Sequence, residues 1–94
     1  MDQAHSLELL TATHTFPGKF VFKAIGLMDH DFTARVVALV RAELRQAFDA
    51  PYQTRETSSG RHIAVTIEPW VESADQVLAI YGKLKDESGL VMLL

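Results

Sequence analysis

Apolar and polar positions along the chain fall into two periods, and the order in which those periods appear predicts a fold. Lys19-Phe20-Val21-Phe22-Lys23-Ala24-Ile25-Gly26 follows the turn chemistry of Phe16-Pro17-Gly18 and is rich in aromatic and β-branched residues, which predicts a first strand. Phe20 and Phe22 point to one side and Val21 and Ile25 to the other, so both faces are apolar and a central place in a sheet is expected. Phe32, Val36, Leu39, Val40 and Leu44 then share one stripe at helical spacing. This first helix is expected from Phe32 to about Phe48, capped by Asp29 or Asp31 and stopped ahead of Pro51. Tyr52 to Thr57 alternates but is mostly polar, the pattern of an edge strand exposed to water. Ser58-Ser59-Gly60 reads as a hairpin loop, after which Arg61 to Glu68 places Ile63, Val65 and Ile67 on one face of a third strand that Pro69-Trp70 breaks. Ser73-Ala74-Asp75-Gln76 is a capping box, and Ala74, Val77, Ile80, Tyr81 and Leu84 form the stripe of a second helix. Gly82 inside it costs about 1 kcal/mol relative to alanine. Beyond Ser88-Gly89, Leu90-Val91-Met92-Leu93-Leu94 predicts a last short strand.

The order is βαββαβ, which predicts an α+β protein of ferredoxin-like architecture, a four-stranded antiparallel sheet with two helices on one face. In that architecture the first and third strands are central, which suits their apolar faces. The second strand is a polar edge. The fourth is an apolar edge, where unpaired backbone lies beside Val91, Met92, Leu93 and Leu94, so these residues are candidates for an interface. Residues 1–15 are polar apart from Leu7, Leu9 and Leu10 and are taken as a leader, mobile or packed on the outside, with residues 16–94 as a single domain. A chain of 94 residues has room for one core, and 48% hydrophobic with 22% charged residues is the composition of a folded globule. A formal charge of −3 offers no broad basic field to nucleic acid or to an acidic membrane. Without cysteine there are no disulfides, thiolate metal sites or thiol nucleophiles. Met1-Asp2-Gln3-Ala4-His5 lacks the basic start and apolar run of a secretion signal, so a cytoplasmic protein with no membrane segment is expected.

These residues resemble the small bacterial YbeD-like proteins of unknown function, whose fold is ferredoxin-like and close to the ACT regulatory domain. The resemblance spans the chain from Glu8 onward. It rests on Glu8-Leu9-Leu10, Phe16-Pro17, Phe22-Lys23 with Ile25-Gly26, Ser58 with Gly60-Arg61 ahead of Ala64-Val65-Thr66-Ile67, Gln76-Val77, Ile80-Tyr81, Leu84, and Val91-Met92-Leu93-Leu94. His62 stands where members of that family tend to have an aromatic ring, and Pro69-Trp70 is outside the family pattern. The family brings no established catalytic residues. ACT-like domains often dimerise by joining sheets and bind small metabolites near the loop between the first strand and first helix. The resemblance therefore implies a self-associating regulatory domain with Gly26, Asp29, His30 and Asp31 as candidate ligand residues, although no glycine stands at the helix start.

Asp29-His30-Asp31 is also the densest group of acid–base or metal-ligating side chains in the chain. Neighbours in sequence diverge in direction, however, and an aspartate capping the helix accounts for the same residues. No HxH or HExxH spacing supports a metal, and none is expected. Ser58-Ser59-Gly60-Arg61 lacks any phosphate-loop pattern and precedes a strand, so a plain turn is the better reading. The βαββαβ order also hosts RNA recognition modules, but the third strand offers Ile63, Val65 and Ile67 where stacking rings are wanted. The expectation is a non-enzymatic regulatory or ligand-binding domain without a cofactor, meeting a second copy of itself or a small metabolite. The alternatives are an adaptor that captures a protein partner on its last strand and, less favoured, an RNA-binding module.

Overall fold

The two alternating runs pair with each other and the helical stripes close over them. The computed structural model describes residues 3–28 and 31–94, with side chains from Ser6 onward. Along them run α1 (Gln3–Thr13), β1 (Gly18–Lys19), β2 (Phe22–Leu27), α2 (Phe32–Leu44), β3 (Tyr52–Glu56), β4 (His62–Ile67), β5 (Trp70–Val71), α3 (Ala74–Lys85) and β6 (Leu90–Leu93). The protein is thus α+β, with three helices and two antiparallel sheets among the described residues. The larger sheet has the order β3-β4-β2-β6, every neighbouring pair antiparallel. No helix among the described residues is long and apolar enough to cross a membrane.

Phe22, Ala24, Val65 and Ile67 from the inner strands join Phe32, Val36, Val37 and Val40 of α2 and Val77, Ile80 and Leu84 of α3 in one core. The expected stripes hold, with Val37 added to the first and with Leu39, Leu44 and Tyr81 only partly covered. Phe20 and Phe22 are both buried, their rings 4.9 Å apart. All of β3 is exposed, as a polar edge should be.

Several boundaries differ from expectation for identifiable reasons. The first helix ends at Leu44 instead of running to Phe48, because Arg45 turns left-handed (φ 52°, ψ 42°). Its N–H donates to the Ala42 carbonyl and that of Gln46 to the Arg41 carbonyl, which satisfies the helix end six residues ahead of Pro51 and leaves Phe48 83% exposed. The expected first strand is split. β1 pairs with β5, and the pairs Gly18 with Val71 and Lys19 with Trp70 continue the register of Phe22 with Ile67. Pro69, facing Phe20, has no N–H to donate, so only the bond from the Phe20 N–H to the Pro69 carbonyl (3.0 Å) survives there. Pro69 interrupts the ladder without ending it. Gln3–Thr13, where no element was expected, forms α1, and its Leu10 packs against the core.

Ser73 caps α3 as expected, accepting from the Gln76 N–H at 3.4 Å. The returning bond differs: the Gln76 Oε1 accepts from the N–H of Glu72, one residue upstream of the cap, at 2.7 Å.

Gly26 is the position where packing is tightest. A Cβ built there would lie 2.5 Å from the Phe32 ring, a distance at which the ring must move. By contrast, a Cβ on Gly82 meets nothing within 4 Å. Gly26→Ala is therefore expected to destabilise the protein by about 1–3 kcal/mol through overpacking, whereas Gly82→Ala stabilises it by about 0.5–1 kcal/mol through helix propensity. Urea unfolding of the two variants measures both, and equal signs would refute the packing argument.

Candidate functional site

Two regions gather the candidate residues: the start of α2 and the edge formed by β6. At the first, Gly26 lies buried in β2 with the Phe32 ring on its bare Cα. The close approach for which glycine is suited is made here by the protein's own aromatic ring. Asp31 stands at the N-cap of α2 with left-handed backbone (φ 58°, ψ 42°) and makes no side-chain cap bond. Its carbonyl still accepts the first helical bond, from the Arg35 N–H at 3.0 Å. The capping role expected for an aspartate side chain is thus absent at Asp31, because a side chain on a left-handed cap is not presented to the helix N–H groups as it is on an extended one. Asp29 and His30 lie outside the described residues. Beside Asp31 and Phe32, a shallow depression of about 450 Å³ is walled by Leu27, Met28, Tyr52 and Ile63.

The start of α2 is tied to the approach of β6. Arg35 donates from Nη1 to Glu87 Oε1 at 2.9 Å and to the Ser88 carbonyl at 3.0 Å, and its guanidinium carbon lies 5.9 Å from the centre of the Phe32 ring. Gly89 follows with φ 84°, and its carbonyl accepts from the Leu27 N–H at 2.9 Å. The β2–β6 register shifts between Ile25 and Gly26, so Ile25 faces Met92 while Gly26 faces Leu90. Leu90 and Leu93 pack against the core, and Val91, Met92 and Leu94 are 54%, 51% and 57% exposed. Of the four interface candidates, three are thus on the outside and Leu93 is turned inward. Lys23 and Leu94 exchange both backbone bonds. That exchange directs the N–H and C=O of the next residue, Leu93, away from β2 toward the free side of the strand.

Tyr81 closes the inner end of this region. Its hydroxyl donates to the Leu94 carbonyl at 3.4 Å, and its ring meets the Phe22 ring edge-on at 5.0 Å. Burial pushes its phenol up from the ordinary value of 10.0.

On the sheet face turned away from the core, the registers Lys23 with Thr66 with Gln53 and Ile25 with Ala64 with Arg55 place two cations on either side of β4. Both line a second, smaller depression of about 150 Å³ with Gln53 and Thr66. Sequence reasoning passed over this pair. The signal was present in the exposed alternate positions of the first and second strands, but joining them requires the register.

The family described as "Protein of unknown function (DUF493)" matches residues 11–94. The chain belongs to that family. It is 34% identical over 79 residues to a UPF0250 protein of Shewanella piezotolerans, covering 84% of this chain and 88% of that protein. To a UPF0250 protein of Haemophilus ducreyi it is 29% identical over 79 residues, 84% of this chain and 79% of that one. The resemblance to small bacterial YbeD-like proteins is thereby established, and the matched span takes in the last turn of α1 and both candidate regions of this DUF493 chain.

Because the folded-state pKa of Tyr81 is raised, the unfolded chain ionises first. Stability is complete below the ordinary value of 10.0 and is lost as pH rises through it toward the folded value. Urea midpoints taken between neutral pH and pH about 11 should fall more steeply for the native chain than for Tyr81→Phe. Parallel curves would remove the argument that burial governs this phenol.

Proposed function

We propose that this DUF493 protein is a non-enzymatic regulatory domain of ferredoxin-like, ACT-like arrangement, with α2 and α3 on one face of the larger sheet, and that it works as a self-associated pair joined along β6. The fold reading is supported by the strand order β3-β4-β2-β6 and by the single core that α2, α3 and the inner strands share.

The observation that carries the functional reading is the contrast between the two sheet edges. Folded proteins guard exposed edges with charge, proline or strong twist. β3 is guarded by its sequence, Tyr-Gln-Thr-Arg-Glu, exposed throughout. β6 is Leu-Val-Met-Leu, with no charge, and offers outward backbone at Leu93 flanked by the exposed side chains of Val91, Met92 and Leu94. Antiparallel pairing of two copies about a two-fold axis satisfies that backbone on both sides, since a two-fold interface matches one surface to itself. Met92→Glu brings like charges toward each other across such an axis. Sedimentation at several concentrations should show a dimer for the native chain and a monomer for Met92→Glu with an unchanged circular dichroism spectrum. A native chain that stays monomeric at every concentration defeats the proposal.

A second reading concerns the depression of about 450 Å³ beside Asp31 and Phe32, whose volume lies in the range of small-molecule sites. A metabolite seated there would contact the start of α2, in the loop that the ACT resemblance singles out. Thermal-shift measurements with amino acids and nucleotides at about 1 mM should then raise the melting temperature for at least one compound, and Thr33→Trp, which fills the depression, should abolish that rise. No shift with any compound removes the reading.

A further inference from the structure

The outer face of the larger sheet carries two chemistries side by side. Toward β6 it is aliphatic: Ile25, Leu27, Met92 and Leu94, of which the last three are exposed. Toward β3 it is cationic, with Lys23 and Arg55 sharing the depression that Gln53 and Thr66 complete. Arg35, Arg41 and Lys83 are ion-paired to Glu87, Asp49 and Glu43, whereas Lys23 and Arg55 have no carboxylate partner among the described residues. Strand alternation puts one carboxylate side chain on this face among the described residues, that of Glu68, at its far end beside Val21 and Pro51. The chain as a whole has 12 acidic and 9 basic residues, so this face opposes the molecule's net sign.

We propose that this face seats an amphipathic helix of another protein, aliphatic along the side that meets Met92 and Ile25 and carrying carboxylates along the flank that meets Lys23 and Arg55. A sheet face is covered either by a helix or by a second sheet, and the width and charge of this one favour the helix. Strands lie about 4.8 Å apart, so the four span about 14 Å from β6 to β3, close to the 10–12 Å diameter of one helix. A single helix therefore reaches the aliphatic strip and the cation pair together. Two copies stacked on this face bring no carboxylate side chain but that of Glu68 to the cations. Nucleic acid finds no Phe, Tyr or Trp at the strand positions of this face on which a base can stack. Pairing along β6 uses the outward backbone of the edge and the helix uses the face; Met92 borders both, whereas Lys23 and Arg55 belong to the face alone.

The test uses the full chain and a fluorescent synthetic helical peptide about five turns long, with leucine along one side and glutamate along the adjoining flank, beside a twin in which lysine replaces each glutamate. Anisotropy should show the glutamate peptide binding at least about tenfold tighter than its twin, the preference shrinking as salt rises. The double variant Lys23→Glu with Arg55→Glu should reverse the preference, and Met92→Ser should weaken both peptides. Salt dependence on the native chain stands even where the double variant fails to fold, and Lys23→Gln with Arg55→Gln then serves in its place. The proposal is overturned if the twins bind equally, if neither binds, or if a single-stranded oligonucleotide binds more tightly than the glutamate peptide. Loss of self-association in the double variant overturns it too, by assigning the face to a second copy.

Discussion

The contact on which most of this structure depends is the Phe32 ring lying on the bare backbone of Gly26. It sets how closely α2 approaches β2, and everything at that end of the sheet is built from there. With the ring in place, Arg35 one turn further along α2 reaches Glu87 and the Ser88 carbonyl, which fixes the turn between α3 and β6. Gly89 leaves that turn with positive φ, and the position of its missing Cβ lies 3.9 Å from both Leu27 and Phe32. The register shift between Ile25 and Gly26 falls at the same place. Bulges of this kind sharpen the local twist and re-aim side chains. Here the shift lies where β6 turns Leu90 inward and leaves Val91 outward, so the packing of one aromatic ring and the exposure of the apolar edge are parts of one arrangement.

That connection gives the reading of β6 its physical content. An apolar edge strand costs a protein solubility unless it is covered, and the opposite edge shows that this chain can build a guarded one. β6 is also held with some rigidity, between the Arg35 anchor before it and the backbone exchange of Lys23 with Leu94 at its end. A pre-ordered strand loses little conformational entropy on pairing, which favours the use of backbone hydrogen bonds as the adhesive. The start of α2 and the edge strand meet through Arg35, so a molecule seated beside Phe32 would bear on the same anchor.

What the residues disclosed and what they withheld divide along the range of the interaction involved. Helix stripes and the face of the third strand were legible because periodicity reports burial directly, and the Ser73 cap was legible because its geometry closes within three residues. The end of the first helix was not, since a left-handed Arg45 is unusual and only the completed turn favours it. Pro69 does interrupt the third strand, but Trp70 is paired again, since whether a ladder resumes past an interruption depends on the register of the partner, and β1 keeps that register. The leader's Leu7, Leu9 and Leu10 make too narrow a set to announce α1 on their own. Of the candidate site, Gly26 is marked for a ligand only by the resemblance, and the room its missing side chain leaves is taken by Phe32, a partner that only the packing of α2 on β2 discloses. Leu93 was grouped with its exposed neighbours because the alternation along β6 is invisible until Ala24 is known to be its partner.

The net charge of −3 invites the conclusion that anionic partners are repelled, and the structure shows why that inference is too coarse. Screening confines electrostatic influence to about 8 Å at physiological ionic strength. A partner on the outer sheet face therefore experiences Lys23 and Arg55 more strongly than the carboxylates of Glu43, Asp75 or Glu87, which belong to α2, α3 and the turn after α3. Among the described residues, Arg35, Arg41 and Lys83 are engaged by carboxylates of the turn after α3, the loop after α2 and α2 itself. The positive sign of the sheet face comes from Lys23 and Arg55, which have no carboxylate partner among the described residues. Composition sums over distances that salt makes independent, so the sign that decides docking is that of one face, set by which side of each strand its alternate residues occupy.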